Sequence, residues 1–323
     1  MKKGLKILLI VSAVLIVAGM SLIVTGVVSG AGLRDVYLSV GDDLPFATVP
    51  QSTEETVEII PAKEPDAAQM VGSDDSIVSL DIDWISGSVE FVIHEEDHFG
   101  FSEHADVPIE DAYRMVLNRK GNTLEVDYTE KIPLIGSVPT KHLTVYVPAS
   151  KAAAMNEIRL SVTSAEVMIS GISADKLIVS SVSGDVQADN MTLRYVSIGT
   201  TSGEVWLTQE GTSCTAEVNT TSGNIDLSGN YQELDAETTS GEVSISLVIP
   251  AQELEIDTTS GDVRLQIPAD MSLELEYESV SGDFKSDLPM SYRDESYVLN
   301  GGGAEYEVST VSGDLTVSGY VDK

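Results

Sequence analysis

One stretch of the sequence carries residue types that could hold a metal ion, His94-Glu95-Glu96-Asp97-His98. It matches the H-E-x-x-H pattern of zinc proteases, in which two histidines project from the same face of a helix. Here the stretch follows Ser88–Ile93, where apolar and polar residues alternate as in a strand. Because the helical context is missing, we do not expect protease chemistry and favour a solvated acidic loop. The alternative is a looser divalent-metal site, with ligands drawn from His94, His98, His104, Glu103 and Asp106.

A second set of mostly acidic residues recurs at a fixed place, directly after a Ser-Gly pair or its variant. Its members are Glu166, Asp185, Glu204, Asn224, Glu242, Asp262, Asp283 and Asp314. If these positions stack in register, neighbours lie about 5 Å apart and form a column of carboxylates. Such a column could hold Ca²⁺, although the pattern differs from the glycine-rich nonapeptide of calcium-binding β-rolls. Solubility and protection against unwanted strand pairing are the competing explanation.

The sequence offers no pairing of a nucleophile with a base. His142 is the one histidine outside residues 94–104, and neither a G-x-S-x-G segment nor a phosphate-binding loop occurs. We therefore assign no catalytic, cofactor-binding or metal-ligating residue, and we expect a protein that is not an enzyme.

These residues belong to a phrase that occurs nine times: alternating apolar residues, Ser-Gly, an acidic residue, and further alternating apolar residues. The anchor of each copy is Gly87, Ala165, Gly184, Gly203, Gly223, Gly241, Gly261, Gly282 or Gly313. Each copy supplies two short strands that are marginal in isolation, so the copies must stack to share a core. The repeat predicts an all-β fold, a single β-solenoid of stacked two-strand coils of about 20 residues. The copies from Ala165 onward would span about 34 Å.

The Ser-Gly pair has a structural explanation. Glycine permits the positive φ that a corner needs, and the serine hydroxyl can bond nearby backbone groups. At Ala165 we expect either a negative φ or tolerated strain. A threonine three residues before the anchor falls on the inward side, and we expect these hydroxyls to form a ladder in which each bonds its neighbour. The set comprises Thr200, Thr220, Thr238, Thr258 and Thr310.

Charge and cysteine content limit the kinds of partner and of covalent cross-link that this chain can have. The chain of 323 residues has 52 acidic and 18 basic residues, a net charge of −34. This argues against a nucleic-acid partner, because phosphate backbones are bound by stripes of Lys and Arg. A single cysteine, Cys214, excludes an intramolecular disulfide. We expect it to be an unpaired small residue, and the cross-linking of two chains is the alternative.

The N-terminus carries a targeting segment, in which Lys2, Lys3 and Lys6 flank an apolar run over residues 7–28. As a helix, this run would span about 33 Å, against a hydrocarbon core of roughly 30 Å. We expect a cytoplasmic stub at 1–6, a single transmembrane signal-anchor helix at 7–28 and an extracytoplasmic remainder at the cell membrane. A cleaved signal peptide ending near Ser29-Gly30-Ala31 is the alternative.

Composition divides the remainder into three segments. Residues 29–75 are rich in Pro, Asp and Glu and predict an acidic linker, with one short strand at Val57–Ile60. Residues 76–157 alternate like strands but largely lack the repeat, so we expect irregular β coils that cap the stack. Residues 158–323 hold the regular solenoid repeats.

The last repeat step is longer than the others because of an insertion within Asp287–Gly303. Insertions in repeat proteins usually emerge as loops on one face, often the binding face. Tyr292, Arg293 and Tyr297 would be its contact residues. A surface loop without a partner is the simpler alternative.

These features resemble the bacterial "putative adhesin" β-solenoid family, also called toast-rack domains. The resemblance rests on the Ser-Gly-Asp/Glu-Val-x-Leu copies and on the strand-ending segment Leu143–Pro148, and it covers roughly residues 77–321. It implies a tethered bacterial protein with no established enzyme activity and no site residues to carry over. We therefore expect a membrane-anchored, non-catalytic binding, adhesion or scaffold module at the cell envelope, whose partner is an envelope protein or a cell-wall polymer. A sensor or regulator in an envelope-stress system is the alternative.

Overall fold

A computed structural model describes residues 59–60, 69–71, 76–129, 138–211 and 214–321. The predicted stub, the transmembrane helix and most of the acidic linker lie outside these residues. Within the described ranges, no helix is long and apolar enough to cross a membrane.

Alternation of apolar and polar residues gives 23 strands in the described part of the chain. In chain order they are β1 (Ile59–Ile60), β2 (Gln69–Val71), β3 (Ser79–His94), β4 (Gly100–His104), β5 (Val116–Lys120), β6 (Thr123–Asp127), β7 (Lys141–Pro148), β8 (Met155–Ser170), β9 (Ser173–Ser181), β10 (Val186–Thr200), β11 (Val205–Gln209), β12 (Thr215–Thr220), β13 (Ile225–Gly229), β14 (Glu233–Thr238), β15 (Val243–Leu247), β16 (Glu253–Thr258), β17 (Val263–Pro268), β18 (Leu273–Ser279), β19 (Phe284–Ser286), β20 (Ser291–Arg293), β21 (Ser296–Leu299), β22 (Ala304–Thr310) and β23 (Leu315–Tyr320). Within the described residues, helix is limited to a 3₁₀ turn at Asp111–Tyr113 and a four-residue helix, α1, at Ala149–Ala152.

The strands stack as two parallel ladders, which confirms the predicted solenoid of two-strand coils. Strands that precede the Ser-Gly corner form the first ladder, in which Val218 pairs with Ala236 and Ala236 with Ile256. Strands that follow the corner form the second ladder, in which Ile225 pairs with Val243. These apolar side chains are buried in one continuous core between the ladders.

At the N-terminal end, the order of coils in space differs from their order in the sequence. Strand β3 pairs with β8 on one side and with β6 and β7 on the other. Strands β6 and β7 therefore form a tenth coil outside β3, and Lys141 occupies its anchor position beside Gly87. This coil has no Ser-Gly pair, so the repeat in the sequence does not reveal it.

The C-terminal end is threaded in the same way. Strands β22 and β23 lie between β16 and β17 on one side and β18 and β19 on the other. The coil of Gly313 is thus internal and the coil of Gly282 is terminal, so Asp314 precedes Asp283 in the column of acidic residues. The ten coils take nine steps and span about 43 Å at the usual strand spacing.

Antiparallel strands cover both ends of the first ladder and the N-terminal end of the second. At the N-terminal end, β5 pairs with β6, and β4 pairs with β7 of the second ladder. Strands β1 and β2 extend the sheet beyond β4, so the part of the linker that is described joins the fold. At the C-terminal end, β21 pairs with β18 and β20 with β21.

The anchor glycines are required by close approach between coils. A Cβ added to Gly223 would lie 1.8 Å from the carbonyl oxygen of Gly203. The same collision with the anchor of the adjacent coil occurs at the other repeat anchors Gly184, Gly203, Gly241, Gly261, Gly282 and Gly313. Among the nine repeat anchors only Gly87 has a positive φ, +102°. The expectation of positive φ at every corner is therefore wrong. Ala165 has no positive φ, which confirms the first of the two alternatives expected for it, a negative φ without strain.

Three of the five inward threonines are satisfied within their own coils. Thr238 instead donates to the carbonyl oxygen of Gly223 in the adjacent coil at 3.4 Å, and the buried hydroxyl of Thr310 has no hydrogen-bond partner within the described residues. The hydroxyl of Thr220 accepts a hydrogen bond from the backbone N–H of Gly223 at 3.0 Å, and Thr200 and Thr258 do the same for Gly203 and Gly261. The expected ladder from neighbour to neighbour is wrong for these members, because the tight corner brings a donor closer than the adjacent coil does.

Candidate functional site

The histidine segment adopts no helix. His94 ends β3, and residues 95–98 form a bend in which His94 Nε2 donates to the carbonyl oxygen of His98 at 2.8 Å. The second ring lies beside an acidic residue, with His98 Nε2 3.0 Å from Glu96 Oε2. The two rings lie 5.9 Å apart, edge to face. The zinc-protease geometry is therefore not formed.

The other residues suggested as ligands lie elsewhere. His94 is paired with Pro148 at one end of β7, and His104 with His142 near the other end. Six residues of extended strand separate these positions by about 20 Å. The carboxylate of Glu103 is buried and binds Lys141 Nζ at 2.8 Å. In the described ranges, no group of three or more His, Cys, Asp and Glu side chains is placed to hold a metal ion.

The acidic residues after the anchors stack in register, but the shorter side chains, Asp and Asn, accept hydrogen bonds from backbone N–H groups. Asp185 Oδ1 accepts from the N–H of Glu204 at 2.9 Å, and Asp262 Oδ1 from the N–H of Asp314 at 2.9 Å. Asn224 makes the same bond with the N–H of Glu242 at 3.0 Å. Each side chain thus binds the backbone of the adjacent coil, which gives the column a structural role at the corner.

A larger acidic surface covers the outer side of the first ladder. One row across neighbouring strands consists of Glu217, Asp235, Glu255, Glu307 and Glu276. Burial, followed by the charges of Glu237, Glu255 and Glu217, raises the pKa of Asp235 to about 7. Burial, followed by the charges of neighbouring carboxylates such as Glu255 and Glu237, raises the pKa of Asp257 to about 7 as well. This face therefore carries carboxylates that repel one another near neutral pH.

Cys214 lies in the core and is fully buried. Burial raises the pKa of its thiol to about 12, which keeps it protonated. A thiol in this position cannot meet a second chain, so its place among the core residues favours the structural interpretation.

The insertion forms a hairpin that extends the first ladder. Strands β20 and β21 meet at Asp294 and Glu295, whose φ values of 49° and 70° are those of a tight two-residue turn. Asn300 fixes the other end, where its Nδ2 donates to the carbonyl oxygen of Met271 at 2.8 Å. The expected loop is therefore an ordered part of the sheet.

This hairpin completes an aromatic surface that we call the terminal ledge, formed by Phe284, Tyr297 and Tyr292. Phe284 occupies the inward position of the terminal coil, and the ring of Tyr297 stacks on it at 3.8 Å. Tyr292 contacts Tyr297 at 4.9 Å and is 63% exposed. Nearby, Tyr277 donates its hydroxyl to the carbonyl oxygen of Gly313 at 2.8 Å. Two of the three predicted contact residues, Tyr292 and Tyr297, thus lie together at the end of the core.

The terminal ledge exists because the two ladders end at different levels. The first ladder continues through β21 and β20 beyond its last parallel strand, β18. Strand β19 of the second ladder pairs, within the described residues, with β23 only. The inner face of the hairpin therefore extends beyond the strands that would otherwise cover it.

Comparison with known proteins identifies the class. Residues 77–318 match the family described as Toastrack DUF4097, and the chain belongs to that family. No curated protein matches the sequence.

Two crystal structures are similar to this chain. A "putative cell adhesion protein" from Clostridium sporogenes is 12% identical with a TM-score of 0.27, and 79% of this chain covers 99% of that one. A "putative adhesin" from Bacteroides fragilis is 15% identical with a TM-score of 0.40, with coverage of 80% and 99%.

Proposed function

We propose that the protein is a membrane-anchored, extracytoplasmic and non-catalytic binding module that contacts its partner through the terminal ledge. The observation that carries this proposal is the exposed ring of Tyr292, which packs on the half-buried Tyr297 at the end of the core. Exposed apolar surface of this kind typically marks an interaction site, and tyrosine is enriched among the residues that dominate binding energy.

The position of the ledge suits a tethered rod. The coil of β3 lies near the N-terminal end of the stack, and in the sequence it follows the apolar run at 7–28 that we propose as the anchor. The ledge lies eight coils further along, about 38 Å from the coil of β3 at the usual strand spacing. Such a rod would hold the ledge away from the membrane surface, toward an envelope protein or a cell-wall polymer.

Site-specific cross-linking in intact cells tests this function. A photoreactive amino acid at position 292 should give discrete adducts, whereas the same amino acid at position 206, on the side of the rod, should not. Trp206 is 37% exposed in the middle of the stack and provides the matched position. Equal or absent cross-linking at the two positions would exclude the ledge as the contact surface.

The tether is tested separately. Protein expressed with residues 1–28 should fractionate with membranes, and its solenoid should be digested by protease added outside the cell. Protection from external protease would contradict the proposed orientation.

A further inference from the structure

The backbone at the terminal ledge has an open side. The N–H of Leu315 donates to the carbonyl oxygen of Asp283 at 3.0 Å, and the N–H of Asp287 donates to that of Val317 at 3.3 Å. The groups of Asp283 and Asp287 therefore face β23. Because backbone groups alternate in direction along a strand, those of Phe284 and Ser286 face away from β23, toward the open edge.

Side chains make this edge suitable for an added strand. A strand placed beside β19 would continue the second ladder and lie opposite β21, with its inward side chains over Tyr297. A further strand would lie opposite β20 and Tyr292. Facing strands of packed sheets are about 10 Å apart, which is the space that apolar side chains from an added strand would fill. The exposed corner residue Val280, 63% exposed, adds apolar surface to the same end.

Charge favours one kind of occupant. The turn of the hairpin presents Asp294 and Glu295, and the terminal corner presents Asp283. The basic residues of the same surface are Arg293 and Lys285, and Lys285 is already paired with Asp314, so acidic residues are in excess there. The whole chain has a net charge of −34. A second copy of this chain would bring like charge to this end, whereas a segment that alternates apolar and basic residues would bring opposite charge.

We propose that the open edge of β19 binds an extended peptide segment of a partner protein, in which apolar residues that cover the terminal ledge alternate with Lys or Arg. This inference rests on the proposed function and specifies its mode, the addition of a strand to a sheet edge. Main-chain hydrogen bonds to Phe284 and Ser286 would give affinity, and the ledge would select the inward side chains.

A synthetic peptide of alternating Val and Lys, labelled with a fluorophore, is the probe for the full-length protein in detergent. Fluorescence anisotropy should show saturable binding. Ser286→Pro removes an N–H that faces the open edge and leaves the pairing with β23 in place, so it should weaken binding about tenfold. Tyr292→Ala, which removes an aromatic contact, should also weaken binding about tenfold.

Matched variants separate these effects from folding. Ser286→Ala removes only the hydroxyl that accepts from the N–H of Leu288 at 3.1 Å, and it should bind as the parent does. Trp206→Ala, on the side of the rod, should also leave binding unchanged. A peptide of the same composition with alternate N-methylated residues should not bind, because it cannot pair along its edge.

Three results would overturn the inference. One is absence of binding, or binding that is equal in the parent and in Ser286→Pro. Another is a dimer of the parent, detected by sedimentation, that Ser286→Pro abolishes, which would assign the edge to a second copy. The third is binding that appears only after proteolysis removes the residues before position 59, which would assign the edge to that segment. Cross-linking at position 292 that persists in Ser286→Pro would leave the proposed function intact while this inference fails.

Discussion

Lys141 Nζ donates to Glu103 Oε2 at 2.8 Å in the interior of the N-terminal coil, where neither side chain is more than 4% exposed. The same ammonium group donates to the carbonyl oxygens of Tyr113 and Tyr128, and it lies 3.9 Å from the ring centre of Tyr128. Trp84, whose Nε1 donates to the carbonyl oxygen of Lys141, packs against the same ring. This pair ties the capping segment that contains β4 to the terminal coil. Burial lowers the pKa of Lys141, and the hydrogen bond to Glu103 opposes that shift.

Removal of one partner of this pair should destabilise the protein strongly. Lys141→Met leaves the buried carboxylate of Glu103 with Arg114, 39% exposed and 3.5 Å away, as its remaining cation. We therefore expect the free energy of unfolding in urea to fall by about 3 kcal/mol. The double variant Lys141→Met with Glu103→Gln should recover much of this loss. The control is Arg194→Met, which removes an exposed pair with Asp175 at 3.2 Å and should cost less than about 1 kcal/mol. A single Lys141→Met variant as stable as the parent would contradict the buried network.

A methyl group at an anchor glycine should not be accommodated. In Gly223→Ala, the added Cβ would lie 1.8 Å from the carbonyl oxygen of Gly203, so two coils must separate. We expect a loss of about 3 kcal/mol or more. Gly199→Ala is the matched control, since no atom lies within 4 Å of its added Cβ. Chemical denaturation of both variants should show a large effect at position 223 and a change within about 0.5 kcal/mol at position 199.

The acidic residues at the corners should stabilise the fold through one hydrogen-bonded oxygen and not through their charge. Asp262→Ala removes the acceptor for the N–H of Asp314 and should cost about 1 kcal/mol. Asp262→Asn should leave the stability almost unchanged, because Asn224 already makes the equivalent bond two coils away in the stack. Thermal unfolding with and without millimolar Ca²⁺ provides the contrast. A Ca²⁺-dependent stabilisation that Asp262→Asn abolishes would show that the column binds calcium.

The acidic face should make stability depend on pH. The pKa values of Asp235 and Asp257 are raised in the folded protein from 3.8 to about 7, so the folded state binds protons more readily than the unfolded state. Stability should therefore increase as the pH falls from about 8 to about 5, through the folded pKa values. We expect a higher melting temperature at the lower pH.

Replacement of one member of this face identifies the source of the effect. Asp235→Asn should raise the melting temperature at about pH 8 and reduce the difference between the two pH values. Asp270→Asn, at an exposed turn between β17 and β18, should leave the pH dependence unchanged. A melting temperature that falls steadily from about pH 8 to about pH 5 in the parent would contradict the prediction.

Much of the fold could be predicted from periodicity. Apolar residues two apart on both sides of Ser-Gly indicate two half-buried strands for each copy, and a repeat that cannot bury its own core has to stack. The alignment of Ile225 with Val243 and of Val218 with Ala236 follows directly from that spacing. The role of Cys214 as an ordinary core residue was also predictable from its isolation.

Other features depend on neighbours that are remote in the sequence. Lys141 is at an anchor position where every other coil has a small residue. It is tolerated because the added Cβ of an anchor points toward the preceding coil, and no parallel coil precedes β6 and β7 in the described structure. Likewise, Glu103 was grouped with histidines in the sequence because it lies near them along the chain, but the pairing of β4 with β7 brings it to Lys141.

The sequence by itself determined that this protein is an all-β stack of two-strand coils, because the period of two along each strand and the fixed Ser-Gly anchors admit one way to bury the apolar residues. It also indicated that the insertion near Tyr292 departs from that stack. Only the tertiary structure decided the order in which the coils lie and the level at which each ladder ends. Those depend on which strand edges meet, and a parallel edge accepts any coil with the same alternation, so local pattern cannot choose between a coil that follows in sequence and one that returns from beyond it.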